Sequence, residues 1–407
     1  MAGAPRATIA LLSPHHPMTA LPLPSPDAQA ASAALCRLIA AEIDAAGGWL
    51  SFARFMERAL YAPGLGYYAG GAHKFGAAGD FVTAPELSPL FAQTLAAQTA
   101  QIMALSAPHI VEVGAGSGQL AADLLLELEA RAALPESYAI LDLSGELRAR
   151  QQATLAERAP HLAPRVRWLD RLPERFDGLV LANELLDALP VHLVVWGAEE
   201  APEAVFERGV SVESERFVWR DRPASGRLLE RAQQLAAETE LPTGYLSEIG
   251  LAAGDWTAAW APILGRGALL LIDYGFPRHE FYHPQRSEGT LMCHYRHRAH
   301  ADPFYLPGLQ DITAHVDFTA VVEAGHAAGL DFLGYTTQGV FLLNCGLTEV
   351  LARTPYEDRA HYLPLAASAQ KLLGPSEMGE LFKVMALGKG IENTLLGFAQ
   401  GDRSATL

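Results

Sequence analysis

Short apolar runs alternate with amphipathic stretches through the middle of the chain. Each run has the length of one buried strand, and the stretches between them repeat apolar residues every three or four positions, as helices do. The predicted strands are HIVEVGAG (109–116), YAILDLS (138–144), RVRWLD (165–170), FDGLVLAN (176–183) and GALLLIDYG (267–275). Strands that alternate with helices form a parallel sheet covered on both faces. The pattern therefore predicts an α/β domain with a doubly wound sheet.

The alternation is interrupted after the fourth strand. VHLVVW (191–196) and AVFERGVSVESERFVWR (204–220) alternate at period two, which predicts an inserted antiparallel pair. A helix is predicted over 245–264. Beyond the fifth strand, the pattern predicts a helix at about 316–329, a strand at 331–338, a long helix at 347–373 and a final strand, LFKVMALG.

The N-terminal part of the chain differs in composition. Residues 1–30 are rich in Pro and Ala, and we expect a disordered extension there. Residues 31–105 have helical periodicity on either side of a glycine-rich stretch, and long glycine-rich loops are often lids. We therefore divide the chain into an extension (1–30), a lid segment (31–105) and a core (106–407), with insertions at about 190–245 and 276–315.

Charge and cysteine content narrow the classes of partner. The chain has 30 Lys and Arg against 46 Asp and Glu, a net charge of −16, which argues against nucleic acid. An acidic surface suits a basic substrate, although it also serves solubility. Three isolated cysteines give no disulfide framework, and no apolar run reaches the roughly 18 residues of a membrane span. We expect a cytoplasmic protein in a bacterium, or a mitochondrial one in a eukaryote.

The first predicted strand ends in a glycine turn, IVEVGAGSGQL, with Gly114, Gly116 and Gly118 after Glu112. Glycines at such a turn let the backbone approach a ligand. The dinucleotide motif needs its third glycine at position 119, where this chain has Gln. S-adenosylmethionine has no pyrophosphate and carries an ammonium and a sulfonium, so it suits Glu112 better than NAD or FAD does. A glycine turn that serves packing alone is the other alternative.

Acidic and apolar residues follow the next two strands. Asp142 ends the second strand, where an acid can accept both hydroxyls of a ribose. Leu143, Leu169 and Asp170 are candidates for contacts with the adenine side of the cofactor. Leu and Asp at these positions equally suit packing and turns.

The fourth strand ends in LANELLDALP, which puts Asn183, Glu184 and Asp187 beside the expected methyl donor. Two neighbouring carboxylates can bind a guanidinium through charge-assisted hydrogen bonds and orient its nitrogen for attack on the methyl. If a helix begins near Glu184, Asp187 lies one turn further on the same face. The alternative is that both acids simply cap that helix.

Histidines and tyrosines supply weaker candidates. His294, His297 and His300 do not have the spacing of a common metal site, and we predict no metal. The segment 308–318 is polar enough to line a cleft, and His315 in it is a candidate proton acceptor. Tyr67 and Tyr68 suit either a cation–π wall or an ordinary core.

Taken together, these motifs resemble the MidA-type S-adenosylmethionine-dependent methyltransferases. The resemblance covers about residues 35–390 and rests on GYY (66–68), GDFVTAPELSPLF (79–91), VEVGAGSGQLAADLL (111–125), LRARQ (147–151), ANELLDALP (182–190), GTLMCHYRHRAHADPF (289–304), GLQDITAHVDF (308–318) and QGVFL (338–342). The chain departs from the family pattern in SPLFAQ, where SPLFGE is common, and in Asp142-Leu-Ser-Gly, where Glu-Ser-Pro is common.

The resemblance implies a class I methyltransferase fold, with a Rossmann-like seven-stranded sheet, an antiparallel last strand and an N-terminal lid. Mitochondrial members are complex I assembly factors that symmetrically dimethylate a protein arginine. Carried over to this chain, the family pattern makes Gly114, Gly116, Glu112 and Asp142 cofactor residues and aims Asn183 and Glu184 at the methyl group. The lid positions that it adds to the cofactor site are Asp80, Thr83, Pro85 and Glu86.

The sequence therefore predicts an S-adenosylmethionine-dependent methyltransferase whose substrate is a protein arginine. Glu184, Asp187 and Asn183 are its predicted catalytic residues. A small-molecule methyltransferase and a cofactor-binding assembly factor without catalysis are the alternatives, and a homodimer is open. An NAD-dependent oxidoreductase is disfavoured by Gln119.

Overall fold

A mostly parallel sheet forms the centre of the molecule. The computed structural model describes residues 21–70, 83–198 and 201–407. The strands of the central sheet are β1 (His109–Val113), β2 (Ser137–Leu141), β3 (Val166–Leu169), β4 (Phe176–Asn183), β5 (Leu264–Phe276), β6 (Asp331–Thr337) and β7 (Phe382–Lys389). Their spatial order is β6-β7-β5-β4-β1-β2-β3, and β7 is antiparallel to both neighbours. This confirms the predicted doubly wound α/β sheet with an antiparallel last strand.

The strand count differs slightly from the expectation. Within the described residues the sheet has eight strands, because a short strand, Val316–Asp317, pairs with the end of β5 outside the main path. The seven predicted strands correspond to that path. Since β1 and β4 are neighbours, the chain crosses the sheet between β3 and β4 and leaves a crevice at the carboxyl ends of β1 and β4.

Helices cover both faces of the sheet. In the described part of the chain they are α1 (Pro26–Ala45), α2 (Phe52–Tyr61), α3 (Ala84–Leu87), α4 (Leu90–Leu105), α5 (Gln119–Ala130), α6 (Gly145–Arg158), α7 (Gly226–Glu238), α8 (Leu251–Trp260), α9 (Arg278–Phe281), α10 (Phe318–Ala327), α11 (Gln338–Asn344), α12 (Leu347–Leu351), α13 (Arg359–Leu373) and α14 (Met378–Leu381). Short 3₁₀ turns lie at Ala163–Arg165, Leu396–Phe398 and Ser404–Thr406.

The pleat of β4 explains why its sequence is an unbroken apolar run. Leu179 and Leu181 pack into the core on one face of the sheet, whereas Val180 and Ala182 pack into the core on the other. Because side chains alternate along a strand, a strand buried on both faces needs apolar residues at every position. The run ends where the strand leaves the two cores, at Asn183.

The insertion after β4 is larger than the predicted antiparallel pair. It is built from His192–Ala198, Ala201–Glu213, Arg216–Pro223 and Tyr245–Ile249, which form a five-stranded antiparallel sheet with Leu50–Ser51. The helix predicted over 245–264 is wrong in its first part. Tyr245–Ile249 pairs with the strand at 192–196 instead, where four of its five side chains are buried, and the helix α8 begins only after Gly250.

Two further helix predictions need correction. The helix predicted over 347–373 is split into α12 and α13, because Pro355 lies between them and disfavours a helical residue before it. At the N-terminus α1 begins at Pro26, inside the segment expected to be disordered, and the Ser25 hydroxyl accepts a hydrogen bond from the Ala28 N–H. Residues 1–20 of that segment and 71–82 of the lid lie outside the described residues.

The loop region after β5 folds into a small sheet of its own. Its strands are Met292–Tyr295, Arg298–His300 and Asp311–Thr313. None of the described helices is long and apolar enough to cross a lipid bilayer. The described residues also contain no cluster of three side chains suited to a metal ion.

Candidate active site at the carboxyl ends of the strands

A cleft of about 920 Å³ opens at the carboxyl ends of β1, β2 and β4. Walls from α2 and α8 extend it outward. Most of the site residues predicted from the sequence lie along it, namely Glu112, Gly114, Gly116, Asp142, Leu143, Asp170, Asn183, Glu184, Asp187, Thr83, Pro85 and Glu86. Residues from distant parts of the sequence therefore meet in one place, as the topology of the sheet requires.

The glycine turn after β1 takes a conformation that favours glycine. The φ angles of Gly114, Gly116 and Gly118 are 71°, 51° and 81°. A Cβ on Gly114 would also lie 3.0 Å from the side chain of Leu185, on the turn that follows β4. Gly114 and Gly116 line the cleft, so their backbone can approach a bound cofactor.

Gly118 has a different role from its two neighbours. It does not lie among the residues of the cleft, and a Cβ at this position would meet the backbone of Gln151 on α6 at 2.9 Å. Because glycine has no side chain, α5 can start close to α6. Gly118 therefore serves packing, which is the alternative that the sequence left open for the turn.

Asp142 is held at the tip of β2 by two donors. One carboxylate oxygen accepts from the Ser144 N–H at 2.9 Å, and the other accepts from Nε2 of Gln151 at 2.8 Å. Oε1 of Gln151 accepts in turn from the Trp168 indole N–H. Because each carboxylate oxygen can accept more than one hydrogen bond, this fixed carboxylate remains suited to ribose hydroxyls.

Arg148 ties the tips of β2 and β3 together. It donates to the backbone carbonyls of Asp142 and Leu169, at 2.9 Å and 2.5 Å, and to the Asp170 carboxylate at 2.6 Å. Leu169 therefore contributes its carbonyl to this frame and does not line the cleft, while Asp170 does. Leu143 is 83% exposed, an unusual position for Leu that leaves it available to cover a bound ring.

Glu112 is a buried acid within β1. The Tyr138 hydroxyl donates to its carboxylate at 2.6 Å. Burial raises the pKa of Glu112 to about 7, and the nearby Asp142 adds to the rise, whereas the Tyr138 hydrogen bond opposes it. An acid kept in such a place stabilises a cation that approaches it.

The tip of β4 turns sharply at Glu184. This residue has a φ of 50°, which is rare for a residue other than glycine. Its carboxylate accepts from the Asn183 amide at 3.2 Å and from the backbone N–H of Ala84 at the start of α3. Burial raises the pKa of Glu184 to about 8, and the charge of Asp187 adds to it.

The residues after Glu184 form a turn, not the helix that was expected there. Pro190 and the strand that begins at His192 leave too little chain for a helix. Asp187 nevertheless reaches the cleft. Its Oδ2 accepts from the Tyr274 hydroxyl at 2.6 Å, and burial raises its pKa to about 6. The helix-capping alternative for the two acids therefore does not apply.

Two polar oxygens in this turn have no internal partner. Oδ1 of Asp187 and Oδ1 of Asn183 are buried and accept no hydrogen bond from the described residues. Buried acceptors of this kind are costly unless a ligand or water satisfies them. Both residues line the cleft, so the turn holds two unpaired acceptors next to it.

An aromatic wall faces these acceptors. The rings of Tyr61 and Tyr68 stack with centroids 5.6 Å apart, and the Tyr68 hydroxyl donates to Asp311 at 3.0 Å. Tyr61 was not predicted from the sequence, because it ends an amphipathic helix and is no different there from a core residue. Tyr67 is buried in the core of the N-terminal helices, which agrees with the second of the two interpretations, an ordinary core residue.

Several other candidates lie away from the cleft. His315 lines a separate cavity, and burial lowers its pKa to about 3, so it does not fit the role of proton acceptor in the cleft. Asp317 caps α10. Gln119, at the start of α5, donates to the carbonyl of Pro85 in the lid segment at 3.1 Å. Asp80, another predicted lid residue, lies outside the described residues.

Comparison with known proteins decides the chemistry of the site. The family model described as "Putative S-adenosyl-L-methionine-dependent methyltransferase" matches residues 90–336, more than half of the chain. The chain belongs to this methyltransferase family. It is an S-adenosylmethionine-dependent methyltransferase, as the resemblance to MidA-type enzymes predicted.

A solved structure supports the same conclusion. A protein from Burkholderia thailandensis, crystallised with bound S-adenosyl-homocysteine, is 56% identical, with a TM-score of 0.91; the match covers 95% of this chain and all of that one. The methyltransferase fold and the cofactor are therefore confirmed. The turn, Glu112 and Asp142 fit that cofactor, since a glycine-rich turn and fixed acids lie along one cleft.

Curated relatives carry a more specific name. The "Protein arginine methyltransferase NDUFAF7 homolog, mitochondrial" of Drosophila melanogaster is 28% identical, and the alignment covers 91% of this chain and 88% of the relative. The human "Protein arginine methyltransferase NDUFAF7, mitochondrial" is 26% identical, with 84% and 80% covered. These names describe the relatives.

Proposed function

We propose that this methyltransferase transfers a methyl group to a guanidinium nitrogen of an arginine in a protein. The observation that carries the proposal is the acidic lining of the cleft, which includes Glu184 and Asp187 on the turn after β4. A guanidinium has five N–H donors and no acceptor, so it is the side chain best suited to satisfy both. The names of the curated relatives agree with this substrate.

The charge of the cleft supports a cationic substrate. Among the described residues that line it, nine are Asp or Glu and two are Arg. One of those arginines, Arg54, already pairs with Glu42 at 2.6 Å and Glu57 at 2.7 Å. Asp170 and Asp255 also have arginine partners, whereas Glu184 and Asp187 have no ion pair among the described residues. A cationic acceptor would compensate these two acids.

We assign the donor to Glu112, Gly114, Gly116 and Asp142, with Leu143 and Asp170 beside the adenine. Thr83, Pro85 and Glu86 belong to the part of the lid next to the cofactor. In this arrangement Asn183 and Glu184 lie next to the reactive methyl, and the stacked Tyr61 and Tyr68 form a wall for the arginine side chain.

The proposed reaction has a simple balance. The nitrogen–carbon bond forms as the carbon–sulfur bond of the donor breaks, S-adenosyl-homocysteine leaves, and the nitrogen loses one proton. Glu184 is the acceptor for that proton in our scheme, since a carboxylate with a pKa of about 8 is basic enough near neutral pH. The charge of the bound guanidinium lowers that pKa and favours the ionised form at the start.

Two finer points extend the proposal. We propose symmetric dimethylation as the product, which the resemblance to MidA-type enzymes implies. We also propose a cytoplasmic location, since the Burkholderia thailandensis protein with 56% identity is bacterial. A homodimer stays a prediction.

Transfer of radiolabelled methyl from S-adenosylmethionine into lysate proteins tests the substrate class. Acid hydrolysis of the labelled protein should release methylarginines. Label in methyl-lysine, or only in the small-molecule fraction, would refute the proposal. Bovine histones and free arginine, assayed side by side, control for unspecific transfer and for a small-molecule activity.

A further inference from the structure

Asp273, at the carboxyl end of β5, binds the backbone of the turn that follows β4. One of its oxygens accepts from three consecutive N–H groups, those of Leu185, Leu186 and Asp187, at 3.1, 2.8 and 3.2 Å. The other oxygen accepts from the N–H of Tyr274 at 2.9 Å. Asp273 is 1% exposed, so a buried carboxylate is surrounded by donors on both sides.

This contact fixes the part of the chain that carries the acceptor groups. Glu184 has a left-handed backbone, and a single residue in that region persists only where its surroundings hold it. The N–H of Glu184 donates to the carbonyl of Ile272, directly before Asp273. The end of β5 therefore determines the path of the turn from Glu184 to Asp187.

Tyr274 positions the side chain of the same turn. Its hydroxyl binds Oδ2 of Asp187, and the other oxygen, Oδ1, stays without a partner in the described residues. Two adjacent residues of β5 thus divide the task. Asp273 holds the backbone of the turn and Tyr274 holds the Asp187 carboxylate.

We propose that Asp273 is a positioning residue for methyl transfer, which holds the turn of Glu184 and Asp187 in place. The positioning itself rests on geometry alone. Its effect on the binding of a cationic acceptor rests on the proposed arginine substrate.

Several charged groups surround Asp273. Glu184 and Asp187 face it from the turn, and burial together with their charges raises the pKa of Asp273. Opposite Asp273 on β7 is Lys383, but its ammonium donates to the carbonyls of Glu380 and Leu381. The four N–H donors favour the anion, because a protonated oxygen would direct a hydrogen at a donor.

Further groups lie one contact away. The ring of His315 packs against Tyr274 with centroids 5.3 Å apart, and His315 is neutral above a pKa of about 3. Glu86 adds negative charge near Glu184. The groups that face Asp273 and its turn therefore give a negative environment, held in place by the backbone donors of the turn.

The test compares wild type, Asp273→Asn and Tyr274→Phe in complex with S-adenosyl-homocysteine. Calorimetry with Nα-acetyl-arginine amide as the probe gives the affinity at each pH from 5 to 9. For Asp273→Asn we expect the affinity at high pH to fall about tenfold, because the turn that carries the two acids loses its anchor. For Tyr274→Phe the midpoint of the pH dependence should rise, because the Asp187 anion loses a donor.

A matched control is Glu248→Gln. Glu248 is likewise a buried carboxylate, 2% exposed, that accepts from two consecutive N–H groups, those of Thr290 and Leu291, both at 2.9 Å. It does not line the cleft. This variant should lose stability and keep the wild-type affinity for the arginine probe at each pH. If Asp273→Asn behaves as Glu248→Gln does, the positioning role is refuted.

Hydrogen exchange separates this inference from the substrate assignment. In Asp273→Asn the amides of Leu185, Leu186 and Asp187 should exchange about tenfold faster or more, measured by mass spectrometry on the peptide 181–190. Unchanged exchange would overturn the proposal. If wild type binds the arginine probe at no pH while this exchange still accelerates, the arginine substrate fails and the positioning of the turn is supported.

Discussion

The replacement Glu112→Gln separates what the buried acid does for the cofactor from what it does to stability. Glu112 is 2% exposed and has a pKa of about 7, compared with 4.5 in the unfolded chain. A raised pKa means that the folded state binds the proton more tightly, so stability is complete below pH 4.5 and falls as the pH rises toward 7. Gln has no proton to lose, and its Oε1 can still accept from Tyr138.

The size of the effect follows from the two pKa values. Between pH 5 and pH 8 the wild-type protein should lose about 2.5 kcal/mol of unfolding free energy through Glu112, and the variant should not. The variant should bind S-adenosyl-homocysteine about tenfold more weakly or worse, because a charge-assisted contact with the cofactor is gone.

Urea unfolding of both proteins without cofactor, at pH 5, 6, 7 and 8, measures this difference. We expect the stability of Glu112→Gln relative to wild type to increase with pH by about 2.5 kcal/mol. Glu157→Gln, on the exposed face of α6, is the control and should leave the pH dependence as it is. A difference between Glu112→Gln and wild type that does not change with pH would refute the reasoning.

Three more predictions concern the rest of the cleft. Gly114→Ala should weaken S-adenosyl-homocysteine binding about tenfold by calorimetry. The control Gly226→Ala, also at positive φ but with open space around it, should cost similar stability and leave binding unchanged, and equal binding losses would contradict the turn's role. Tyr68→Phe removes one donor from Asp311, which keeps the Ile312 N–H, and should raise KM for the acceptor about tenfold at unchanged S-adenosyl-homocysteine affinity; an unchanged KM would show that the Tyr68 hydroxyl does not contribute to acceptor binding. Arg148→Gln removes three hydrogen bonds at the tips of β2 and β3, so its affinity for the cofactor should fall about tenfold. If the variant binds the cofactor as tightly as wild type does, these hydrogen bonds are dispensable.

Much of the cleft could be predicted because its residues follow strands. Glu112, Gly114, Asp142, Asn183 and Glu184 stand at or next to the ends of apolar runs, and parallel strands bring their carboxyl ends to one edge. The apolar pattern that identifies the strand thus also locates the residue beyond it. Short local signals were enough for this part of the site.

Other parts of the site depend on contacts that no local pattern reveals. Tyr68 and Asp311 are 243 residues apart in sequence, and Asp273 lies 86 to 88 residues from the N–H groups that it binds. Asp273 did carry the same signal as Glu184, a polar residue that ends a buried strand. The helix expected at Glu184 was wrong because Pro190 and the strand from His192 leave too little chain for it. The turn that forms instead is held by a tertiary contact, the Asp273 carboxylate.

The most direct test of the central claim is to locate the transferred methyl group. Wild type and Glu184→Gln would be incubated with deuteromethyl-labelled S-adenosylmethionine and lysate proteins, and peptides would be sequenced by tandem mass spectrometry. We predict labelled methyl on arginine nitrogens with wild type, and at least a hundredfold less with Glu184→Gln, while both bind S-adenosyl-homocysteine equally. Labelled methyl on another residue type, or full transfer by Glu184→Gln, would contradict the account.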